Sequence, residues 1–283
     1  MTYETIAQVE DLRAMLARGA DVLVLDCEFD LGDPDRGRAL YLEAHLPGAR
    51  YLDLELDLSG EVTGSNGRHP LPARTAFAAT MRGFGLKSGQ QVIAYDGNGG
   101  IYAARLWWML RWLGHGAVAV LDGGRQAWGD ADLPSESGEP GPVREGDFML
   151  GEPLVGQPIT AREVLANIGT GELQVIDARD AQRFAGAPHP LDTVSGHIPG
   201  ASNRFYRDNY DANGRLKKPA ELAEAFGTAL NGKTPEQAVL QCGSGVTACH
   251  NLLAMEVAGL KGGRLYPGSW SEWTSDPSRP VER

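Results

Sequence analysis

From Glu4 to Asp26 the chain reads ETIAQVEDLRAMLARGADVLVLD, an amphipathic helix, a glycine turn and a β-branched strand. The same order returns in the second half. Thr160 and Glu163 form a T-x-x-E capping box, glycines at 169 and 171 make the turn, and Val175 and Ile176 lie on a strand. Two more apolar strands follow, QVIAYD (Gln91–Asp96) and AVLQC (Ala238–Cys242). Each runs through glycines into a long apolar helical stretch, IYAARLWWMLRWLG from Ile101 and TACHNLLAMEVAG from Thr247. Strands alternating with helices at this spacing predict an α/β fold, a mostly parallel sheet with helices on both faces. In such sheets functional groups gather at the carboxyl ends of the strands, where Asp96 and Cys242 both fall.

The recurrence is detailed enough to read as a duplication. VLVLDCEFD (Val22–Asp30) answers LQVIDARDA (Leu173–Ala181), and EAHLPGA (Glu43–Ala49) answers SGHIPGA (Ser195–Ala201). VIAYDGNGG (Val92–Gly100) answers AVLQCGSGV (Ala238–Val246), and LDGGRQAW (Leu121–Trp128) answers YPGSWSEW (Tyr266–Trp273). The offsets from Asp26 to Asp177, Gly48 to Gly200, Asp96 to Cys242 and Gly123 to Gly268 are 151, 152, 146 and 145. Between the copies, PSESGEPGPVREG (Pro134–Gly146) reads as a surface linker. The expected organisation is a first domain over residues 1–133, a linker over 134–158 and a second domain over 159–283.

Charge and composition remove several function classes. The net charge of -11 repels a phosphate backbone, which argues against nucleic acid as a partner. No apolar run reaches the ~18–20 residues that span a bilayer. The amino-terminal MTYETIAQVEDLRAML has neither a basic nor an apolar leader segment, so the expectation is a cytoplasmic protein with no membrane partner. Three cysteines, Cys27, Cys242 and Cys249, are too few for a disulfide framework in 283 residues. Cys242 and Cys249 stand seven apart, unlike zinc-ligand pairs, and no metal is expected.

Cys242 closes a strand, and Gly243, Ser244 and Gly245 let the backbone curl before a helix begins at about Val246 or Thr247. Converging N–H groups and the helix N-terminus favour thiolate over thiol. Cys242 is therefore the candidate nucleophile, while Cys27 and Cys249 read as core. The first copy carries Asp96 at the matching position yet keeps Gly97 and Gly99, so one half is catalytic and the other is not.

These residues resemble the rhodanese superfamily, specifically its two-domain sulfurtransferases, over nearly the whole chain. YLEAHLPGARYL (Tyr41–Leu52) looks like the family's N-terminal signature, and RLYPGSWSEW (Arg264–Trp273) is similar to its C-terminal one. The loop CGSGVT (Cys242–Thr247) resembles that of 3-mercaptopyruvate sulfurtransferases; thiosulfate-specific members more often carry basic residues after the Cys. The resemblance implies two tandem rhodanese-like domains. The reaction it implies moves a sulfur atom from 3-mercaptopyruvate through a Cys242 persulfide to cyanide, a small thiol or thioredoxin, without a cofactor. It also implies that N–H groups of Gly243, Gly245, Val246 and Thr247 hold the donor sulfur, and that Arg183 binds the donor's anionic group. His69 and Ser244 would move a proton, with Glu55 as the third member of their triad. Family members often carry a second arginine where this chain has Leu191, so His189 or an arginine from elsewhere would have to substitute. A thiosulfate:cyanide sulfurtransferase is the alternative, and a non-enzymatic persulfide relay or binding module a third reading. Phosphatases of related fold need C-x5-R, and the sixth position after Cys242 is Ala248. His45 and His197, present in both copies, read as turn residues.

Overall fold

A computed structural model describes residues 2–283 of the chain. It divides into two units: one comprises Met1–Ser59 and Pro72–Leu154, the other Gly60–Leu71 and Val155–Arg283. The excursion Gly60–Leu71 thus belongs to the unit that holds Cys242.

In the first unit the elements are β1 (Ile6–Ala7), α1 (Val9–Ala17), β2 (Val22–Asp26), α2 (Pro34–Glu43) and β3 (Arg50–Tyr51). They continue as α3 (Arg74–Gly83), β4 (Gln91–Tyr95), α4 (Ile101–Trp112), β5 (Val118–Leu121) and α5 (Gly124–Asp130). Every ladder is parallel, and the strand order is β1-β5-β4-β2-β3. β4 and β5 are almost wholly buried, which is why they read as continuous apolar runs rather than alternating ones. All of α4 from Ile101 to Trp112 is buried, its two arginines Arg105 and Arg111 included.

The second unit contains α6 (Ala161–Asn167), β6 (Gln174–Asp177), α7 (Ala181–Phe184), β7 (Ser202–Asn203) and α8 (Pro219–Ala229). After them come β8 (Ala238–Gln241), α9 (Thr247–Val257), β9 (Arg264–Leu265) and α10 (Ser269–Trp273). Its sheet, again all parallel, has the order β7-β6-β8-β9. Matching β6 to β2, β7 to β3, β8 to β4 and β9 to β5, this is the first unit's order without β1.

Local chemistry repeats with the topology. The Thr160 hydroxyl accepts the Glu163 N–H at 3.3 Å and the Glu163 carboxylate accepts the Thr160 N–H at 2.8 Å, fixing the start of α6. His45 and His197 do identical work in their own units. Their N–H groups donate to the Glu136 and Glu282 carbonyls at 2.8 Å, and each Nδ1 meets a carbonyl, of Tyr41 or Phe184, at 2.7 or 2.8 Å. Their rings stack on those same residues. Both are braces of a turn. Among the described residues no helix is long and apolar enough to cross a membrane.

Candidate active site

β8 pairs in register with β6, so Gln241 lies beside Asp177, and Cys242 begins the loop at the strand's carboxyl end. Three contacts from the first residues of α10 hold that loop. Cys242 N–H donates to Ser269 Oγ at 3.1 Å, while its carbonyl and that of Gly243 accept the N–H groups of Trp270 and Ser271 at 3.0 Å. Within the loop, Gly245 N–H donates to Cys242 Sγ at 3.2 Å. A backbone N–H aimed at sulfur stabilises negative charge there. Gly245 has φ +79°, and any Cβ would overlap the Pro267 carbonyl oxygen, so only glycine closes this turn. Val246 is the cap residue and Thr247 the first residue of α9, whose N-terminus faces the loop. Cys249 is fully buried, with Sγ donating to the Gly245 carbonyl at 3.3 Å, and Cys27 is buried too.

Ser244 and His69 meet. Ser244 Oγ lies 2.8 Å from His69 Nδ1, and both residues are buried. The excursion that carries His69 also carries Arg68, which sequence reasoning passed over. Arg68 N–H donates to Ser271 Oγ at 3.1 Å, and its Nη1 donates to the Leu191 carbonyl at 2.6 Å.

Arg183, on the short α7, is not a solvated helix charge. Its Nε and Nη2 donate to the two Asp192 oxygens at 2.8 Å, a bidentate pair. Burial works against that guanidinium, but the Asp192 bonds and charge outweigh it and raise its pKa. Asp192 is correspondingly held below the usual carboxylate range despite its own burial. Next to it, Arg179 is clamped by Asp177 through Nε and Nη2, at 3.1 and 2.7 Å, and its guanidinium lies 4.6 Å from the Trp270 ring centroid. Arg68 and Arg183 converge over Gly243: a Cβ there would stand 2.9 Å from Arg68 Nη2 and 3.4 Å from Arg183 Nη2.

The second unit therefore assembles Cys242, Gly243, Ser244, Gly245, Val246, Thr247, His69 and Arg183, and adds Arg68, Asp192 and Arg179. Glu55 belongs to the first unit, on an exposed turn where its N–H donates to Asp53 Oδ1 at 2.7 Å. His189 closes a local turn, its Nδ1 accepting the Leu191 N–H at 3.2 Å. Among the described residues no cluster of His, Cys, Asp or Glu is arranged to hold a metal ion.

The matching loop of the first unit is occupied by a carboxyl side chain of its own. The Asp96 carboxylate accepts the N–H groups of Asn98, Gly100, Tyr102 and Ala103 at 2.6 to 3.0 Å. Glu28 lies where the second unit has guanidiniums: Gly97 N–H donates to its Oε2 at 2.6 Å, and a Cβ on Gly97 would stand 2.5 Å from that oxygen. One loop has been filled by a carboxylate and faces another; its counterpart ends in a thiol and faces positive charge.

Comparison with known proteins agrees with this duplication. The model of the rhodanese-like domain matches residues 8–131 and again 160–276. A Pseudomonas aeruginosa protein named as a probable 3-mercaptopyruvate sulfurtransferase is 45% identical over 283 residues, with 99% of each chain covered. A thiosulfate/3-mercaptopyruvate sulfurtransferase of Arabidopsis thaliana is 33% identical, over 99% of this chain and 87% of its own. The solved structure of 3-mercaptopyruvate sulfurtransferase from Leishmania major superposes with a TM-score of 0.86 at 31% identity, covering 98% of this chain and 75% of that one.

Proposed function

The chain belongs to the rhodanese-like family, and on that premise we propose that it is a sulfurtransferase using 3-mercaptopyruvate, with Cys242 as the nucleophile. The observation that carries this reading is the buried Ser244–His69 pair two residues from Cys242, in a loop flanked by two guanidiniums. A dianionic donor that splits only an S–S bond needs no proton; a mercaptopyruvate needs one, because its C–S bond breaks and leaves a carbanion.

In the proposed cycle the Cys242 thiolate attacks the donor's thiol sulfur. The new bond is Cys242 S–S, the bond broken is the donor's C–S, and its electron pair goes to the carbon as the pyruvate enolate. Ser244, hydrogen-bonded to His69, moves the proton that converts enolate to pyruvate. The loop N–H groups of Gly243, Gly245, Val246 and Thr247 bear the charge on the persulfide. An acceptor thiolate, from a small thiol or a thioredoxin, or cyanide, then takes the outer sulfur and restores the Cys242 thiolate. No cofactor enters the scheme. A cytoplasmic setting, with reduced thiols as acceptors, belongs to the same proposal.

Mass spectrometry after incubation with 3-mercaptopyruvate tests it. The expected result is the added mass of one sulfur atom on the wild type and none on Cys242→Ser; full turnover by the serine variant would overturn the mechanism. The donor is tested by kcat/KM for 3-mercaptopyruvate against thiosulfate, where a strong preference for thiosulfate would leave the nucleophile standing and replace the substrate.

A further inference from the structure

Three guanidiniums and two carboxylates surround the Cys242 loop, and their pairing is uneven. Asp177 clamps Arg179, and Asp192 pairs in bidentate fashion with Arg183 and reaches Arg179 at 3.4 Å. Arg68 has the Leu191 carbonyl as acceptor, and among the described residues no carboxylate lies within 4.0 Å of its guanidinium. Arg68 thus has no carboxylate partner of its own, and the negative charges that act on it are those of Cys242 and Asp192. It is also directed: Arg68 Nη2 is the nearest heavy atom to the space that a side chain at Gly243 would fill, with Arg183 Nη2 next. Arg68 further lines a cavity of about 230 Å³ with Leu191, Asp192, Trp270, Ser271 and Thr274.

We propose that Arg68 binds the carboxylate of the sulfur donor and is a specificity-determining residue of this site. Together with Arg183 it forms a two-guanidinium seat above Gly243 that accepts one negative charge. This rests on the sulfurtransferase reading above and goes beyond it by assigning the anion to Arg68. Arg183 has two N–H donors committed to Asp192, so it orients the group, whereas Arg68, which has no carboxylate partner, binds it.

The experiment compares wild type with Arg68→Met and Arg68→Lys on two donors, 3-mercaptopyruvate and its carboxylate-free analogue 1-mercaptopropan-2-one. For 3-mercaptopyruvate, Arg68→Met should raise KM roughly ten- to a hundredfold, the worth of a charged hydrogen bond, with kcat within a few-fold. Arg68→Lys should recover part of the loss, and the carboxylate-free donor should not distinguish the three proteins. Equal losses on both donors, or an unchanged KM, would overturn the assignment. Pyruvate binding, read by calorimetry, separates the two levels of argument. Arg68-dependent pyruvate binding in a wild type that transfers no sulfur would uphold the seat and sink the sulfur reading. Pyruvate binding that is indifferent to Arg68, in an active enzyme, would sink the seat alone. Should Arg68→Met not fold, Arg68→Gln in the same assays keeps the comparison.

Discussion

Ser244 Oγ lies 2.8 Å from His69 Nδ1 across 175 residues of sequence, and both side chains are shielded from water. One of the two must donate, so the hydroxyl and the ring form a path for one proton. Replacing either partner by alanine should lower kcat with 3-mercaptopyruvate by about 10²-fold or more, the usual contribution of a positioned acid–base group. The double variant should be no slower than the worse single one, because the pair acts as a unit. Thiosulfate turnover, which needs no proton at carbon, should stay within a few-fold. Additive losses in steady-state kinetics would show that the two residues act separately.

The first unit predicts its own inactivity. Asp96→Cys restores a thiol at the end of β4, but the loop N–H of Gly97 is still held by Glu28, and the atoms nearest a Cβ on Gly97 are that carboxylate's, where Gly243 has those of Arg68 and Arg183. In a Cys242→Ser background, Asp96→Cys should acquire no sulfur from 3-mercaptopyruvate. Persulfide at position 96, detected by peptide mass, would mean that the nucleophile alone separates the two loops.

Asp96 is instead a structural ligand. Its carboxylate satisfies four N–H groups at the start of α4, and it is completely buried. Asp96→Ala leaves those donors unpaired, at a cost of about 3–5 kcal/mol by analogy with other broken buried polar groups. Chemical denaturation should show an earlier transition. The Cys242 persulfide should still form in protein that remains folded. A midpoint equal to wild type would remove Asp96 from this role.

Much of this is legible in the sequence. The duplicated landmarks implied two equivalent sheets, and β3-β2-β4-β5 matches β7-β6-β8-β9 strand for strand. The missing pieces were short or distant. β1, β3, β7 and β9 have two residues each, too few to show a period of two. Arg68 stands next to the motif histidine His69, but its use depends on an excursion that leaves the first unit for the second, and no local pattern announces that. Asp192 follows the exposed Leu191 in a loop and reads as surface charge until α7 brings Arg183 to it. The family's motif marks Arg183, but the commitment of two of its donors to Asp192 is set by the fold.

Glu28 gives the molecule a pH dependence unrelated to sulfur chemistry. Burial, then the neighbouring Asp96 charge, raises its pKa to about 7, while Arg125 pulls the other way. The carboxyl receives the Gly97 N–H at 2.6 Å and the Asn98 side-chain amide at 2.6 Å, and Arg125 Nε is 3.6 Å away. The folded-state value lies above the unfolded one of 4.5, so the folded protein keeps the proton where the unfolded chain has lost it. This contribution is fully present below pH ~4.5 and is lost as pH rises towards 7; at 1.36 kcal/mol per unit it is on the order of 3 kcal/mol. Glu28→Gln cannot ionise and should lack this loss. Urea midpoints measured at pH 5 and pH 7.5 should therefore move in the variant's favour, relative to wild type, by an amount approaching that value. A difference that is the same at both pH values would mean that Glu28 is already ionised at pH 5 and that Arg125, not burial, governs its proton.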